Sequence, residues 1–561
     1  MEGPGDGFRP QPRLSRASWI GGHAAVLLTA SFGPGFQSVP IVAPLNLVLL
    51  LVLVSAAETG WKLLGLLTVQ VLGQWIAYMT AFGTGELLLA TFGLVFFSYV
   101  VLGLAFVPLL RTLQRRYHMF QLYRGGLWVF PVTFTAFWSF FGLLGPVGSW
   151  ANFGYYAVTF NSLAQVASVG GLDAINFITA WACSVLYTFW ILPRMVDKTQ
   201  NPEMGGFSPL LEQHDDADAF CAVYKPNRSR HVSGVVAVAM VALTIGGLRP
   251  LNVYNKFFQT NIEDWSQGHI NAVCLAGYQT FGTPRGRLET TRRIAKQEMF
   301  LDSQLNASSA DLLVWSEASV QVEGEDEETA FLTEMQSIAQ ETKTIIGFGY
   351  VRTFEQPVDG YLAANMFAVV LENGTIALKY QKVNPVVGKE ASIQPGKSPA
   401  IPFQTRFGKW GGAICFDFDF PNYIHAASAG ADLMIQPGWD WGPIGILHAR
   451  MDALRAVENG FTLFRCSAGG VSGVYDAYGQ IDLEIVLGTD FTNEENSERW
   501  YTAQIPVRPR IFTLYTFVGG AIGYWCVLAW LFLFVLAILP SNYVLESELL
   551  SKWLDPAEQF L

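Results

Sequence analysis

The sequence predicts a polytopic α-helical membrane protein that carries an α/β domain outside the membrane. Apolar runs dominate residues 1–250 and return at 511–540, whereas residues 251–510 have the composition of a soluble domain. Only 14% of all residues are charged, compared with about 25% in a soluble domain. Within 251–510, strand-like and helix-like segments alternate, which is typical of a sheet covered by helices. We therefore expect a membrane domain over 1–250, an outer domain over 251–510, and a last span with a tail over 511–561.

Eight apolar stretches are candidate membrane spans, because a spanning helix needs about 20 apolar residues. They lie near residues 19–36, 40–57, 61–81, 86–110, 127–147, 172–193, 233–249 and 512–539. The first, third and seventh are the weakest, since Gly, Gln or shortness interrupts them. A soluble all-helical core could also produce long apolar runs, but the uncharged centres of these stretches favour a membrane.

The loops between the spans predict their orientation, because Lys and Arg are enriched on the cytoplasmic side. Basic residues precede the first span and fill the loops after the fourth and sixth, whereas the loops near 37–39, 82–85 and 148–171 contain none. No cleavage site follows the first span, so we expect it to be retained. Both termini are then cytoplasmic. The outer domain lies on the extracytoplasmic side of a bacterial inner membrane or on the lumenal or exterior face of a eukaryotic membrane.

Charge and cysteine content exclude several classes of function. The formal net charge is −11 and no basic stripe occurs, which excludes a nucleic-acid partner. The six cysteines show no CxxC spacing, so a zinc site is not expected. We expect no other metal and no cofactor. Cys274 and Cys466 could pair as a disulfide, but their apolar strand-like surroundings favour two separate core residues.

The outer domain divides into alternating elements. Strands are predicted at 269–279, 311–316, 343–351, 364–372, 375–381, 410–416, 431–437, 462–466 and 470–475, and helices at 285–305, 327–342, 421–429 and 445–459. Asn373-Gly374 between two of these strands is a strong hairpin signal.

Three residues at the ends of strand-like runs form a candidate catalytic set: Glu317, Lys382 and Cys415. Alone, each has an ordinary structural interpretation as a surface carboxylate, a solvated lysine or a small core residue. Together they supply a general base, a cation and a nucleophile. A thiol with a pKa near 8.5 needs a base to remove its proton. The ammonium and a backbone N–H, such as that of Phe416, would stabilise the oxyanion.

These residues resemble the nitrilase superfamily, whose catalytic set is Glu-Lys-Cys. The sequence is more closely similar to the multi-span members of that superfamily, the apolipoprotein N-acyltransferases, over nearly its whole length. Trp315-Ser316-Glu317 is similar to the family's Trp-Pro-Glu, and Tyr380-Gln381-Lys382 to its Tyr-x-Lys. Ala413-Ile414-Cys415 matches the nucleophile segment. Glu390 falls where the family has a second essential glutamate. The resemblance implies an αββα sandwich with Glu317 as base and Lys382 at the oxyanion.

Other segments match the membrane-bound members only. Asn152-Phe153-Gly154-Tyr155 and Gly171–Phe177 are similar to the family's outer-leaflet loop and the start of its sixth span. Arg455 and Glu458 fall in an Arg-Ala-x-Glu segment that is found in nitrilase-like domains generally, and we interpret them as a structural ion pair in a helix.

The sequence also departs from the family pattern. Phe416-Asp417 replaces the usual Tyr-Glu after the nucleophile, and Ser316 replaces the proline of Trp-Pro-Glu. The loop that closes over the site is Gln436–Gly442 here. In it, Trp439 and Trp441 are candidates for lining the lipid entry, or alternatively for ordinary interfacial aromatics. These departures affect the expected acceptor more than the nucleophile.

The resemblance implies a two-step acyl transfer. Cys415 would take an acyl chain from a membrane phospholipid as a thioester and pass it to an amine, which in the family is the N-terminal α-amine of a diacylglyceryl-cysteine lipoprotein. The expected partners are thus a phospholipid donor, a lipoprotein or other amine acceptor, and the bilayer. Two alternatives stay open: a membrane-tethered amidase, in which water resolves the thioester, and a catalytically silent membrane protein that binds lipids or lipoproteins. Asn306 and Asn373 begin sequons that would be glycosylated only in a secretory lumen.

Overall fold

The computed structural model describes residues 14–32, 39–57, 59–82, 124–191, 268–276, 284–305, 310–440, 444–479, 481–486 and 500–539, with a few isolated residues between them. The chain forms two compact units. The first comprises Met1–Phe140, Asp173–Leu243 and Ile522–Leu561, and the second Phe141–Leu172 and Thr244–Ala521. The segment between the candidate spans at 127–147 and 172–193 thus belongs with the outer domain.

Long apolar helices characterise the first unit and its borders. In chain order they are α1 (Arg16–Ser31), α2 (Val42–Ala56), α3 (Gly60–Phe82), α4 (Arg124–Leu144), α5 (Ala167–Leu186, continued by a π-helical turn to Ile191) and, near the C-terminus, α10 (Ala521–Ile538). Three described stretches are long and apolar enough to cross a membrane: Leu127–Leu144, Ala167–Ile191 and Ala521–Ile538. The predicted spans at 86–110 and 233–249 lie almost entirely outside the described residues. The number of spans and their orientation stay predictions.

A buried amide pair joins two of these helices. Asn46 of α2 and Gln70 of α3 are fully buried. Each side-chain amide donates a hydrogen bond to the other's oxygen at 3.0 Å. Polar side chains of this kind hold helices together where water is absent.

Two sheets form the second unit, the first with seven strands and the second with six. Its strands are β1 (His269–Leu275), β2 (Leu312–Trp315), β3 (Val320–Glu323), β4 (Ile345–Val358), β5 (Tyr361–Val370), β6 (Ile376–Gln381), β7 (Phe403–Thr405), β8 (Gly408–Gly412), β9 (Leu433–Trp439), β10 (Thr462–Ala468), β11 (Val471–Tyr475), β12 (Ile481–Val486) and β13 (Trp500–Pro506). The first sheet has the order β13-β1-β2-β4-β5-β6, with β3 beside β4, and the second has the order β12-β11-β10-β9-β8-β7.

Parallel strands occupy the centre of each sheet. β2 pairs in parallel with β1 and β4, and β9 pairs in parallel with β8 and β10. β2 and β10 are buried at every residue, and β9 at all but its last. This burial explains their continuous apolar runs, because a parallel strand is covered on both faces.

Helices cover the outer face of each sheet. They are α6 (Pro284–Leu305), α7 (Gly324–Thr342), α8 (Pro421–Ala427) and α9 (Ile444–Asn459). One apolar core lies between the sheets and includes Val314, Phe367, Ile435 and Phe464. A second core lies between the first sheet and α6 and α7, and a third between the second sheet and α8 and α9. The predicted αββα sandwich is therefore observed.

The Asn373-Gly374 turn connects β5 and β6 as predicted. Gly374 has a φ of 84°, which an L side chain rarely adopts. A Cβ at this glycine would also lie 2.4 Å from Gln340 of α7. The turn is thus specified by both its conformation and the space around it.

Two predictions about the second unit are wrong. The strand predicted at 410–416 ends at Gly412, and Cys415 instead opens a 3-10 turn that runs to Asp419. Cys274 and Cys466 are not separate core residues, because they form a disulfide between β1 and β10. The apolar surroundings that favoured two core residues equally suit a disulfide between two sheets.

The segment before Leu172 packs against the second sheet's side of the sandwich. The backbone N–H and hydroxyl of Ser149 donate to the Asp419 carbonyl at 2.6 and 2.7 Å. The Gln165 amide donates to the Tyr478 carbonyl at 2.7 Å. The Leu172 N–H donates to the buried Glu458 carboxylate at 3.0 Å. A stretch between two apolar helices thus holds the turn that begins at Cys415.

Candidate active site

Cys415 lies where the second sheet meets the first. It begins the 3-10 turn that follows β8, and its φ is +43°. A non-glycine residue in this region stores on the order of 1 kcal/mol or more of strain and needs firm support. The Gln436 side chain supplies part of that support by donating to the Cys415 carbonyl at 3.2 Å. The nucleophile is therefore fixed by its own turn and by the neighbouring strand.

Glu317 arrives from the first sheet. It follows β2 by two residues and is 4% exposed. Its N–H donates to the Gly438 carbonyl at the end of β9, at 3.3 Å. This bond joins the carboxyl ends of the two central strands, where α/β sheets place their sites.

Lys382 brings the two predicted glutamates together. Its ammonium donates to Glu317 Oε1 at 2.8 Å and to Glu390 Oε2 at 2.7 Å. The lysine is 1% exposed. The Asn365 amide bridges the same carboxylates, at 2.8 Å from Glu317 and 3.1 Å from Glu390. The Val386 N–H holds Glu390 further, at 2.6 Å.

Burial and charge set the protonation of this group. Burial raises the pKa of Glu317, the Lys382 ammonium opposes that rise, and the Glu390 carboxylate adds to it. Burial alone would lower the pKa of Lys382, but the two glutamates together raise it well above its usual value. Lys382 therefore stays charged, and Glu317 is the group that can exchange a proton.

The Cys415 sulfur rests as a thiol. Burial and the Glu317 charge raise the pKa of the thiol to about 12, although the Lys382 charge lowers it. The sulfur lies 3.9 Å from the Trp439 carbonyl. A thiol of this kind becomes a nucleophile only when a base removes its proton, and Glu317 is within hydrogen-bond reach of it.

Tyr380 connects β6 to the nucleophile turn. Its hydroxyl donates to Asp417 Oδ2 at 2.8 Å and accepts from the Ile414 N–H. The backbone N–H and amide of Asn384 both donate to Asp417 Oδ1 at 2.8 Å. Burial raises the pKa of Asp417 to about 6 against these bonds and the Lys382 charge. The substrate-binding role predicted for Tyr380 stays a prediction, since these contacts support the turn.

The other predicted site residues, Phe416, Trp439 and Trp441, lie at different distances along the chain from Cys415. Phe416 is the second residue of the turn and is 7% exposed. The first N–H groups of a helical turn have no partner within that turn, and the Phe416 N–H is one of them. An oxyanion donor needs such an N–H. Trp439 is 38% exposed at the end of β9, beside the nucleophile. Trp441 lies outside the described residues. The lipid-entry role of both tryptophans stays a prediction.

Sequence reasoning missed a buried polar cluster behind Cys415, formed by Asp419, Asp440, His448, Asp452 and Arg465. These residues come from the turn, the end of β9, α9 and β10, and no spacing in the sequence connects them. Asp419, His448 and Asp452 are side chains that metals take as ligands, and their ligating atoms lie within 4.8 Å of one another. The guanidinium of Arg465, which bonds Asp440 and Asp452, already supplies a cation there. Asn365 was also missed, because a single asparagine within a strand carries no signal.

Comparison with known families identifies the domain. Residues 284–487 match the family described as "Carbon-nitrogen hydrolase". Among curated proteins, an apolipoprotein N-acyltransferase of Gloeobacter violaceus is 33% identical over 149 residues, which cover 23% of this chain and 28% of that protein. One of Pseudomonas paraeruginosa is 26% identical over 220 residues, covering 35% of this chain and 42% of that protein. The chain thus spans less than half the length of these relatives.

Solved structures give distant likenesses. An amidase from Nesterenkonia sp. is 20% identical, with a TM-score of 0.35 over 43% of this chain and 91% of that chain. Saccharomyces cerevisiae Nit3, a member of branch 10 of the nitrilase superfamily, is 20% identical, with a TM-score of 0.35 over 45% of this chain and 93% of that chain. The family match and the curated relatives carry the assignment: residues 284–487 form a carbon-nitrogen hydrolase domain, and the chain is similar to the apolipoprotein N-acyltransferases, as its motifs predict.

Proposed function

We propose that this protein is a membrane acyltransferase that moves a fatty acyl chain from a phospholipid, through a thioester on Cys415, to an amine. The acceptor that the family resemblance implies is the N-terminal α-amine of a diacylglyceryl-cysteine lipoprotein. The observation that carries the proposal is the contact of the Lys382 ammonium with Glu317 and Glu390, in a buried site that Glu317 shares with Cys415.

In the first half-reaction, Glu317 takes the proton from the Cys415 thiol as the sulfur attacks the ester carbonyl of the phospholipid. The carbon–sulfur bond forms, and negative charge develops on the carbonyl oxygen. Lys382, which stays charged, and the Phe416 N–H stabilise that oxyanion. The ester C–O bond then breaks, and the lysophospholipid leaves with the proton that Glu317 returns.

In the second half-reaction, the acceptor amine attacks the thioester. Glu317 removes a proton from the attacking nitrogen as the amide bond forms, and the Cys415 thiolate is released and reprotonated. Burial favours aminolysis over hydrolysis, because a dry site keeps water from the thioester. A water molecule in place of the amine would make the same site an amidase or lipid hydrolase.

The apolar helices support a location in the membrane, next to a lipid donor. The disulfide between Cys274 and Cys466 supports an extracytoplasmic side for the catalytic domain, since disulfides persist in oxidising compartments. The segment with Ser149 and Tyr155, which contacts this domain, connects two of the apolar helices.

The test is mass spectrometry of the full-length protein in nanodiscs of a single defined phospholipid. We expect an acyl mass on the peptide that contains Cys415, and a transfer of that acyl chain to an added diacylglyceryl-cysteine peptide. A Cys415→Ala variant should show neither. A Cys183→Ala variant is the matched control, because it removes a buried free cysteine that belongs to the other compact unit.

The outcomes separate the competing functions. Acyl-peptide product supports the transferase. Release of free fatty acid with no labelled peptide, from a protein that does acylate Cys415, would make the protein a hydrolase. If Cys415 carries no acyl group under turnover conditions, the chain is a catalytically silent lipid-binding protein and the proposal fails.

A further inference from the structure

A buried histidine lies behind the nucleophile, on the side of the second sheet. His448 is on α9 and is 4% exposed. Its Nδ1 lies 2.8 Å from Asp440 Oδ1. Its Nε2 lies 3.0 Å from Asp419 Oδ2 and 3.4 Å from Asp452 Oδ2. Carboxylates therefore face both ring nitrogens of this imidazole.

The charges around the ring favour an imidazolium. Arg465 bonds two of these carboxylates, Asp440 and Asp452, and the charge of Arg455 acts on Asp419. A neutral His448 would leave the three buried carboxylates with less compensating charge, which is unfavourable. Burial lowers the pKa of His448 and so does Arg465, but Asp452, Asp419 and Asp440 together raise it well above its usual value. The ring is thus cationic throughout the physiological range.

The same ring reaches the nucleophile. The Cys415 sulfur, Asp440 and His448 bring their reactive atoms within 4.8 Å of one another. His448 lowers the pKa of the Cys415 thiol, which burial and the Glu317 charge raise. Gln436 links the two groups further, since it donates to the Cys415 carbonyl at 3.2 Å and to Asp452 at 2.7 Å.

We propose that His448 is a positioning residue for Cys415: its buried imidazolium, oriented by Asp440, lies next to the sulfur on the second-sheet side and stabilises the thiolate by its charge, while Lys382 acts from the first sheet. This inference rests on the proposed role of Cys415 as the nucleophile. Lys382 is shared by Glu317 and Glu390, and His448 by three aspartates, so neither cation alone balances the charge of a thiolate between them. Without the imidazolium, the Asp440 charge would raise the pKa of the Cys415 thiol further.

The experiment measures how fast iodoacetamide alkylates Cys415 in the full-length protein between pH 6 and 9, by the mass of its peptide. We expect His448→Gln, which keeps a polar side chain but loses the charge, to slow alkylation about tenfold across this range, the effect of raising the thiol pKa by about one. His448→Lys, which keeps the charge, should restore most of the rate. His425→Gln is the matched control, because His425 bonds Asn459 outside the cluster, and it should leave the rate unchanged.

A purely structural role predicts a different pattern. His448→Gln and His448→Lys would then lose thermal stability to a similar extent, and neither would change the alkylation rate of the folded protein. That result overturns the proposal, and so does loss of the fold in both variants. A wild-type rate that rises through an inflection near pH 6.5, absent from His448→Gln, would also overturn it, because the ring would then be neutral above that pH.

The alkylation readout is independent of acyl transfer. If no phospholipid acylates Cys415 but the rate still depends on the charge at position 448, the proposed function fails and the role of His448 stands. If acyl transfer occurs and the charge at 448 has no effect, the reverse holds.

Discussion

The ammonium of Lys382 lies 2.8 Å from Oε1 of Glu317, with both groups almost completely buried. The same nitrogen lies 2.7 Å from Glu390. Two carboxylates on one ammonium keep Lys382 charged, which makes it an electrostatic group and leaves proton transfer to Glu317. Because Glu390 balances part of the charge of Lys382, the lysine does not hold Glu317 permanently as an anion. Glu317 can therefore still take up a proton.

Replacing Lys382 with Met should abolish most of the first half-reaction. The variant leaves Glu317 and Glu390 without their shared cation and removes the oxyanion's partner. We expect Cys415 acylation to fall by about 10²–10³-fold, as for loss of one oxyanion donor. The measurement is the single-turnover rate of acyl-Cys415 formation by mass spectrometry. Lys379→Met is the control, because Lys379 of β6 pairs with Glu328 of α7 instead. Equal rates in wild type and Lys382→Met would contradict the role.

Replacing Glu317 with Gln should remove the inflection in the pH profile of acylation together with most of its rate. Glu317 acts as a base in its deprotonated form, and burial raises its pKa. The wild-type rate should therefore rise with pH through that raised pKa and then level off. Glu317→Gln should show no such inflection and a rate lower by about 10²–10⁴-fold. A Gln variant that keeps the wild-type rise would assign the base to another residue.

Site residues that lie in a short sequence motif could be predicted. Site residues that only three-dimensional packing brings together were harder to predict. Glu317, Lys382 and Cys415 each follow a strand whose apolar run marks its end, and the structure brings the glutamate within reach of both others. Cys415 itself was predicted at the end of the strand 410–416, but that strand ends at Gly412, and Cys415, with its positive φ, opens a turn.

The parts that sequence reasoning missed are held together by long-range contacts. Asp419, with its carbonyl bound by Ser149 and its carboxylate facing His448, is defined by partners far away along the chain. The disulfide of Cys274 and Cys466 joins residues 192 positions apart on different sheets. Neither relationship leaves a local pattern, whereas periodicity and turn residues, which are local, predicted most helices and the β5–β6 hairpin.

Asp417 should make the stability of the protein depend on pH, and replacing Asp417 with asparagine should remove that dependence. Burial raises the pKa of Asp417 from 3.8 to about 6. The folded state thus holds a proton more tightly than the unfolded state. Stability from this group is therefore fully present below about pH 4 and is lost as pH rises to about 6.

We expect the melting temperature of Asp417→Asn, relative to wild type, to increase between pH 4 and 6.5 and then level off. Asp326→Asn, at an exposed position of α7, is the control for the same change in charge. The measurement is thermal unfolding of purified protein over this pH range. A constant difference between Asp417→Asn and wild type would show that Asp417 does not titrate there.

Removing the disulfide should weaken the sandwich while leaving the nucleophile in place. A double Cys274→Ala, Cys466→Ala variant lacks the bond between β1 and β10, and we expect a loss of about 2–4 kcal/mol in unfolding free energy. Thermal unfolding measures this loss. Alkylation of the denatured, unreduced wild type should add label to Cys415 and to neither Cys274 nor Cys466. Label on all three would mean that the bond does not form in the cell used for expression.

The buried ion pair of Arg455 and Glu458 should stabilise the attachment of the 141–172 segment to the sandwich. The two side chains are 0% exposed and lie 2.8 Å apart. Arg455 also donates to the Tyr155 hydroxyl at 3.0 Å, and Glu458 accepts from the Leu172 N–H. Removing one charge leaves the other buried and unpaired, which costs about 3–5 kcal/mol.

Arg455→Met and Glu458→Gln should each lower the unfolding free energy by about that amount, whereas the double variant should lose less than their sum. Thermal unfolding of the four proteins completes the cycle. Limited proteolysis between residues 145 and 172 adds a local readout, with faster cleavage expected in both single variants. Additive losses with unchanged cleavage would show that the pair stabilises only its own helix. Because Ser149 in this segment bonds the Asp419 carbonyl, faster cleavage should also accompany a slower alkylation of Cys415.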